Sequence, residues 1–206
     1  MFKDIRIALI FSVVLLDIIG IGIIFPIIPD LLIEVGIDQN ASAAFWGGLL
    51  SSSYAFTQFV FSPTIGTLSD IFGRRPILLL ASLLLGLDYL VMGFAETIFI
   101  LFIGRIIGGF AGGTIATGTA YLADISDTKD KKKNFAIIGA AFGLGFILGP
   151  IIGGVIGEIS VRAPFFLSAL LCFLNFFLCF FLLPETLKLS TKNKFVIKKL
   201  NPFFNM

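Results

Sequence analysis

The sequence predicts an all-α membrane protein of six transmembrane helices with both termini in the cytoplasm. Three observations predict it. First, 57% of the 206 residues are hydrophobic and only 14% are charged, too little polar surface for a water-soluble domain of this length. Second, the apolar residues gather into six runs, at about 7–33, 44–68, 76–95, 98–122, 135–157 and 163–183. Each is near the roughly 20 residues needed to cross the hydrocarbon of a bilayer. Third, the cations gather on one side. Lys3 and Arg6 precede the first run, Arg74 and Arg75 follow the second, and Lys129 and Lys131 to Lys133 follow the fourth. Lys188, Lys192, Lys194, Lys198 and Lys199 follow the sixth, whereas the opposite side has only Arg162. The positive-inside rule then places the ends of the chain in the cytoplasm.

Each run contributes something different. The first is too long for a signal-peptide core and is followed by further spans, so it reads as a retained helix. It carries Asp17. The second carries Tyr54 and Gln58 one turn apart, able to hydrogen-bond either a substrate or another helix. The third carries Asp88 and the fourth Arg105. The sixth carries Asn175 and two cysteines, Cys172 and Cys179, which read as small apolar fillers rather than as a disulfide or a metal site. There is no histidine, which removes imidazole metal ligation and a histidine proton relay. The 129–133 cluster reads as a topology signal, with anionic lipid as the alternative. A net charge of +2 gives no support for nucleic-acid binding.

The three intramembrane charges are the central functional clue. An ionised group in hydrocarbon costs about 2.5–3.5 kcal/mol on insertion scales unless it meets a partner or a watered cavity. The third and fourth runs form a hairpin turning near Glu96 and Thr97, with Asp88 and Arg105 each about eight residues from the turn. At 1.5 Å per residue both lie roughly 12–13 Å below it, at one depth. Asp17 is also near mid-span. Two acids and one cation therefore converge on the central layer, where a carboxylate can load and release a proton as access to water alternates. A permanent structural ion pair is the plainer alternative.

Glycines mark two spans. In the fifth, Gly145, Gly149, Gly153 and Gly157 recur every four residues, with Gly154 beside them, leaving one side almost bare backbone for a close neighbour. Pro150 removes a backbone donor and is expected to bend this helix beside Gly149. Gly104, Gly108 and Gly112 form a similar series in the fourth. The stretch GTLSDIFGRRP between the second and third runs sets Gly66, Asp70, Gly73, Arg74 and Arg75 in a short basic loop, and Pro76 opens the next helix without losing a needed donor.

These motifs resemble the major facilitator superfamily. GTLSDIFGRRP is similar to its cytoplasmic loop signature, GRIIGGFAGG to its fourth-helix motif with an embedded arginine, and GLGFILGPIIGGVIG to its fifth-helix antiporter motif. LLDIIGIGIIFPIIPDLL, LDYL, and GEIS followed by PFF resemble the tetracycline/proton antiporters of the drug-efflux branch. The likeness runs from about residue 7 to 187. It implies one six-helix half of a twelve-helix fold, with residues 188–206 resembling the start of the basic cytoplasmic linker between halves. It implies that Asp17, Asp88 and Arg105 are functional intramembrane charges lining a cavity with Tyr54 and Gln58. It also implies that Gly66, Asp70, Gly73, Arg74 and Arg75 form a gating loop, and that Gly145, Gly149, Pro150, Gly153 and Gly154 form an antiporter bend. Ile71 departs from the loop pattern, which usually has a basic residue there.

The function so implied is proton-coupled efflux of drug-like compounds such as tetracycline across a bacterial inner membrane. It needs no cofactor beyond the proton gradient, and the substrate could travel as a magnesium chelate. The family's essential acid in its second half is missing, so activity would require a homodimer or a separate second half. The alternative is a truncated or split remnant with no transport of its own. No nucleophile–base pair, metal cluster or phosphate loop supports an enzyme. GGFAGG follows no strand and lies within a span. A gated carrier fits the paired charges better than an open pore.

Overall fold

The computed structural model describes residues 2–37 and 41–187. The basic tail at 188–206 lies outside the described residues. Seven helices follow in order: α1 (Phe2–Glu34), α2 (Ala41–Phe72), α3 (Arg74–Phe94), α4 (Ile98–Ala111), α5 (Thr114–Ile125), α6 (Lys131–Gly157) and α7 (Ala163–Leu182). α4 and α5 are the two parts of one membrane-length segment, interrupted at Gly112 and Gly113. Among the described residues, five segments are long and apolar enough to cross a membrane: Ile5–Glu34, Arg74–Phe94, Ile98–Ile125, Lys131–Gly157 and Ala163–Leu182. α2 has 32 residues, ample length, but Ser51, Ser52, Ser53, Tyr54, Thr57 and Gln58 make its middle more polar.

The bundle inverts the surface of a soluble protein. Phe56, Phe99, Ile159 and Phe181 stand exposed, while Asp17, Asp88, Arg105, Thr114 and Asn175 are buried. An apolar exterior with polar groups satisfied inside is what hydrocarbon demands. Two apolar clusters fill the interior. One is built on Ile23, Leu31, Leu50, Met92 and Phe165. The other, built on Ile10, Val14, Leu78, Tyr121 and Leu122, lies toward the turn at Gly73. Ile5 and Arg6 of α1 share a pocket with Leu182 and Pro184, so α1 begins and α7 ends at the same side of the bundle. At the other side Arg162 Nε donates to Glu34 Oε2 (2.9 Å) and Nη1 to the Gly93 carbonyl (3.0 Å), tying α1, α3 and the turn before α7.

α1 and α6 pack along a glycine edge. A Cβ built on Gly149 would stand 2.7 Å from Gly22 Cα, one on Gly145 2.6 Å from Ile18 Cγ2, and one on Gly153 2.9 Å from the Ile23 carbonyl oxygen. Gly154 differs: it faces open space. α6 runs as one helix through Pro150, the residue at which the sequence places a bend. Gly22 lies beside the proline ring and leaves it room. A break between two helices falls in the fourth span, at Gly112 and Gly113, within the glycine series that resembles that of the fifth. Gly149→Leu should force the α1–α6 seam apart and lower stability by about 1–3 kcal/mol, the usual cost of overpacking. Thermal unfolding of the detergent-solubilised chain measures it, and an unchanged midpoint would mean that the seam is loose.

Candidate functional site

The hairpin geometry expected from sequence brings α3 and α4 together with their charges in register. Arg105 Nη2 donates to Asp88 Oδ2 at 2.6 Å, and both side chains are sealed from solvent, at 2% and 0% exposure. Gly104 and Gly108 make this possible. A Cβ at Gly104 would lie 3.1 Å from Asp88 Oδ1, and one at Gly108 would strike the same carboxylate. The glycines thus clear a berth for a buried acid as well as a path for a neighbouring helix. Asp88 Oδ1 and Arg105 Nε have no hydrogen-bond partner among the described residues, so the pair retains unused polar capacity in a place where orphaned groups are costly.

Asp17 of α1 joins the pair through Tyr54 of α2. The Tyr54 ring lies under the Arg105 guanidinium at 5.4 Å, a cation–π distance, and its hydroxyl donates to Asp17 Oδ1 at 3.3 Å. Thr114, the first residue of α5, donates its hydroxyl to Asp17 Oδ2. The structure therefore gathers Asp17, Tyr54, Asp88 and Arg105 in one buried cluster fed by α1 to α5. The cluster holds two carboxylates and one guanidinium, which bonds Asp88 directly and reaches Asp17 only through the Tyr54 ring. The cluster is odd by one charge and becomes neutral on taking up a single proton, so one proton carries the largest electrostatic change available to it.

Gln58 is bonded to the backbone of the fourth span. Its Nε2 donates to the Gly112 carbonyl at 3.2 Å, the acceptor exposed where the fourth span breaks. The Gly112 N–H bonds back to the carbonyls of Gly108 and Gly109, so α4 ends in a tightened turn. Asn175 of α7 accepts from Ser12 of α1 at 2.7 Å, a helix-to-helix bond.

The GTLSDIFGRRP stretch is less of a loop than its glycines suggest. α2 continues through Gly66 and Asp70 to Phe72, and Gly73 alone makes the turn, at φ 116 and ψ 155. Arg74 pairs with Asp70 at 2.5 Å, bonds the Ser69 hydroxyl at 2.6 Å, and reaches Asp124 of α5 at 3.4 Å. Arg75 donates to the Phe180 carbonyl at 2.5 Å and covers that residue's ring. Glu185 accepts the backbone N–H groups of Arg74 (3.0 Å) and Arg75 (3.2 Å). A carboxylate is thereby set against the positive end of α3. Both arginines thus have partners within this chain. Gly66 faces open space, so its small size serves no contact inside the unit.

Thr114, Asp124 and Glu185 belong to these networks and are not evident from sequence. The faint signals are a threonine after a double glycine and acids closing the fourth and sixth spans.

Known proteins match this architecture closely. The Major Facilitator Superfamily profile matches residues 10–205. The Tetracycline resistance protein, class C, of Escherichia coli is 39% identical over 193 residues, covering 94% of this chain and 48% of that protein. The class B protein of Escherichia coli is 42% identical over 181 residues, covering 88% and 44%. Quinolone resistance protein NorA of Staphylococcus aureus is 32% identical over 184 residues, covering 89% and 45%. Among solved structures, the human organic anion transporter MFSD10 (TETRAN) superposes with a TM-score of 0.80 at 27% identity, covering 92% of this chain and 49% of that one. The chain spans about half the length of the curated relatives it matches. With its profile, its relatives and its helical architecture in agreement, the chain belongs to the Major Facilitator Superfamily, a family of membrane transporters rather than enzymes, and supplies one half of that fold.

Proposed function

We propose that this chain is the first half of a proton-coupled antiporter that expels drug-like compounds such as tetracycline across a bacterial inner membrane. The observation that carries this reading is the sealed, odd-charged cluster of Asp17, Tyr54, Asp88 and Arg105. A merely structural ion pair needs one carboxylate per cation, and a second acid would only add cost. A cluster that is neutral with one proton and charged without it gives a carrier two electrostatic states. Substrate contact and coupling then fall to Asp17 and Asp88, with Arg105 holding the charge balance and Tyr54 joining the two acids. Tetracycline would travel as its magnesium chelate, without a resident cofactor.

The Gly73 side of the bundle faces the cytoplasm in this reading, because Arg6, Arg74, Arg75 and the Lys129 to Lys133 cluster would lie on it. Asp70, Arg74 and Arg75 then serve as the cytoplasmic gate. A second six-helix half, from another copy of this chain or from a separate chain, completes the path. Gly48 of α2 and Gly139, Gly143 and Gly154 of α6 face open space and suit close helix approach from outside.

Uptake of tetracycline with Mg²⁺ into energised inverted vesicles tests the reading. Uptake should collapse with the proton gradient and be abolished in Asp88→Asn. If the chain alone is silent, co-expression with the second half of the class B tetracycline resistance protein should restore it. Silence in both arms, with the protein confirmed in the membrane, sinks the proposal for this substrate.

A further inference from the structure

The break in the fourth span is held on both flanks by the buried acids. On one side Arg105 of α4 is fixed to Asp88 at 2.6 Å. On the other, Thr114 opens α5 with its hydroxyl on Asp17. Between them Gln58 satisfies the Gly112 carbonyl, and Gln58 and Ile65 of α2 pack where side chains at Gly112 and Gly113 would stand, so α2 bears directly on the joint. α5 is a rod of 12 residues, about 18 Å long at 1.5 Å per residue. Its far end carries Asp124, which takes Arg74 at 3.4 Å and the Thr186 hydroxyl at 3.1 Å. Tyr121, one turn earlier, donates to the Pro184 carbonyl at 2.9 Å. One short helix thus touches the buried acid at its start and the Arg74 cluster at its end.

Asp17 and Asp88 are closed off by this chain's own side chains, so water reaches them only if the unit itself opens. Thr117, one turn below Thr114, is buried with its hydroxyl unpartnered, a bond that the present setting of α5 leaves unmade.

We propose that Thr114 is a positioning residue through which the charge on Asp17 sets the angle of α5 at the Gly112–Gly113 joint, and with it the hold of Asp124 on Arg74. This deepens the antiport reading and rests on it. Ionised Asp17 accepts from Thr114 and Tyr54 in a charge-assisted bond, roughly twice as strong as a neutral one, and low polarity around it sharpens the difference. Protonated, it loosens Thr114, and α5 turns at the joint and withdraws Asp124. The titratable groups that feel Asp17 are Tyr54 of α2, Asp88 of α3 and Cys172 of α7, and Arg105 of α4 acts beside them on Tyr54 and Asp88. Against α6, the contact is Gly145 beside Ile18, which brings no titratable side chain.

The test follows α5 without any substrate, so its outcome is separate from that of the uptake experiment. Spin labels at Thr67→Cys on α2 and Thr128→Cys just past α5, in the full chain reconstituted in liposomes, report their separation as pH is varied. The parent protein without these cysteines checks that buried Cys172 and Cys179 stay unlabelled. The separation should change with pH in the doubly labelled chain and stay at its acid value at every pH in Asp17→Asn. It should lose its pH dependence in Thr114→Val, with Thr114→Ala as a second variant should the first fold poorly, and regain it in Thr114→Ser. A parent separation that ignores pH, or a Thr114→Val chain that keeps the parent's response, overturns the proposal.

Discussion

Arg105→Ala should destabilise the purified chain by about 3–5 kcal/mol, the range for removing one partner of a buried ion pair. The reason is what remains. Asp88 would keep a carboxylate with no exposure, one oxygen already unpartnered and the other newly so. Tyr54 would lose the cation above its ring. Denaturant unfolding in detergent reads the cost. A double-mutant cycle shows its origin, because Asp88→Asn combined with Arg105→Gln removes both charges and should recover a large part of the loss. An Arg105→Ala chain within about 0.5 kcal/mol of the parent, the range of an ordinary surface change, would mean that water reaches the pair and that the cluster is not sealed.

The second large effect is expected at Gly73. Its φ of 116 and ψ of 155 lie in a region essentially restricted to glycine, where another residue costs about 1–3 kcal/mol. A side chain there meets a second obstacle, since its Cβ would come within 2.8 Å of the Glu185 Cδ. Gly73→Val should therefore strain the turn and push Glu185 off the start of α3 together, freeing Arg74. Limited trypsin digestion should show faster cleavage after Arg74 alongside a lower unfolding midpoint. Gly66→Ala is the control. Gly66 lies inside α2 with open space around it, and alanine there should leave stability unchanged or raise it slightly. Equal behaviour of the two variants would remove the case for a glycine-only turn.

What could be read from the sequence was set by cost. Asp17, Asp88 and Arg105 stand out because ionised groups are rare in apolar runs, and counting residues from the Glu96–Thr97 turn places two of them at one depth. The structure joins them, with Thr97 capping α4 at that turn. Thr114 stayed hidden because a neutral hydroxyl is cheap enough to occur anywhere along a span, and Gln58 was legible as a polar group but not as the partner of the Gly112 carbonyl. The Gly112–Gly113 break looks in sequence like one more step of a packing stripe, and only Gln58 on its carbonyl separates the two readings. Glu185 acts on a helix start 111 residues away in sequence, a distance that no local pattern spans. The continuation of α2 to Phe72 was masked by Gly66, since glycine inside a helix and glycine ending one look alike.

The glycine edge between α1 and α6 has a mechanical consequence. Interlocked side chains hold two helices at discrete offsets, one ridge apart, and moving between offsets requires climbing over them. α3 and α7 are keyed in this way, with the Phe173 ring set against Gly86 and the Phe166 ring against Gly93. Along α1 and α6 main chain meets main chain at Gly149 on Gly22 and at Gly153 on the Ile23 backbone, and the side chains that enter are Ile18 against Gly145 and the small rings of Pro26 and Pro150, shallower teeth than the phenylalanines of the other flank. The unit thus has one notched flank and one smooth flank. The helix that carries Asp17 runs along the smooth one, where displacements smaller than a helical turn are graded rather than stepwise.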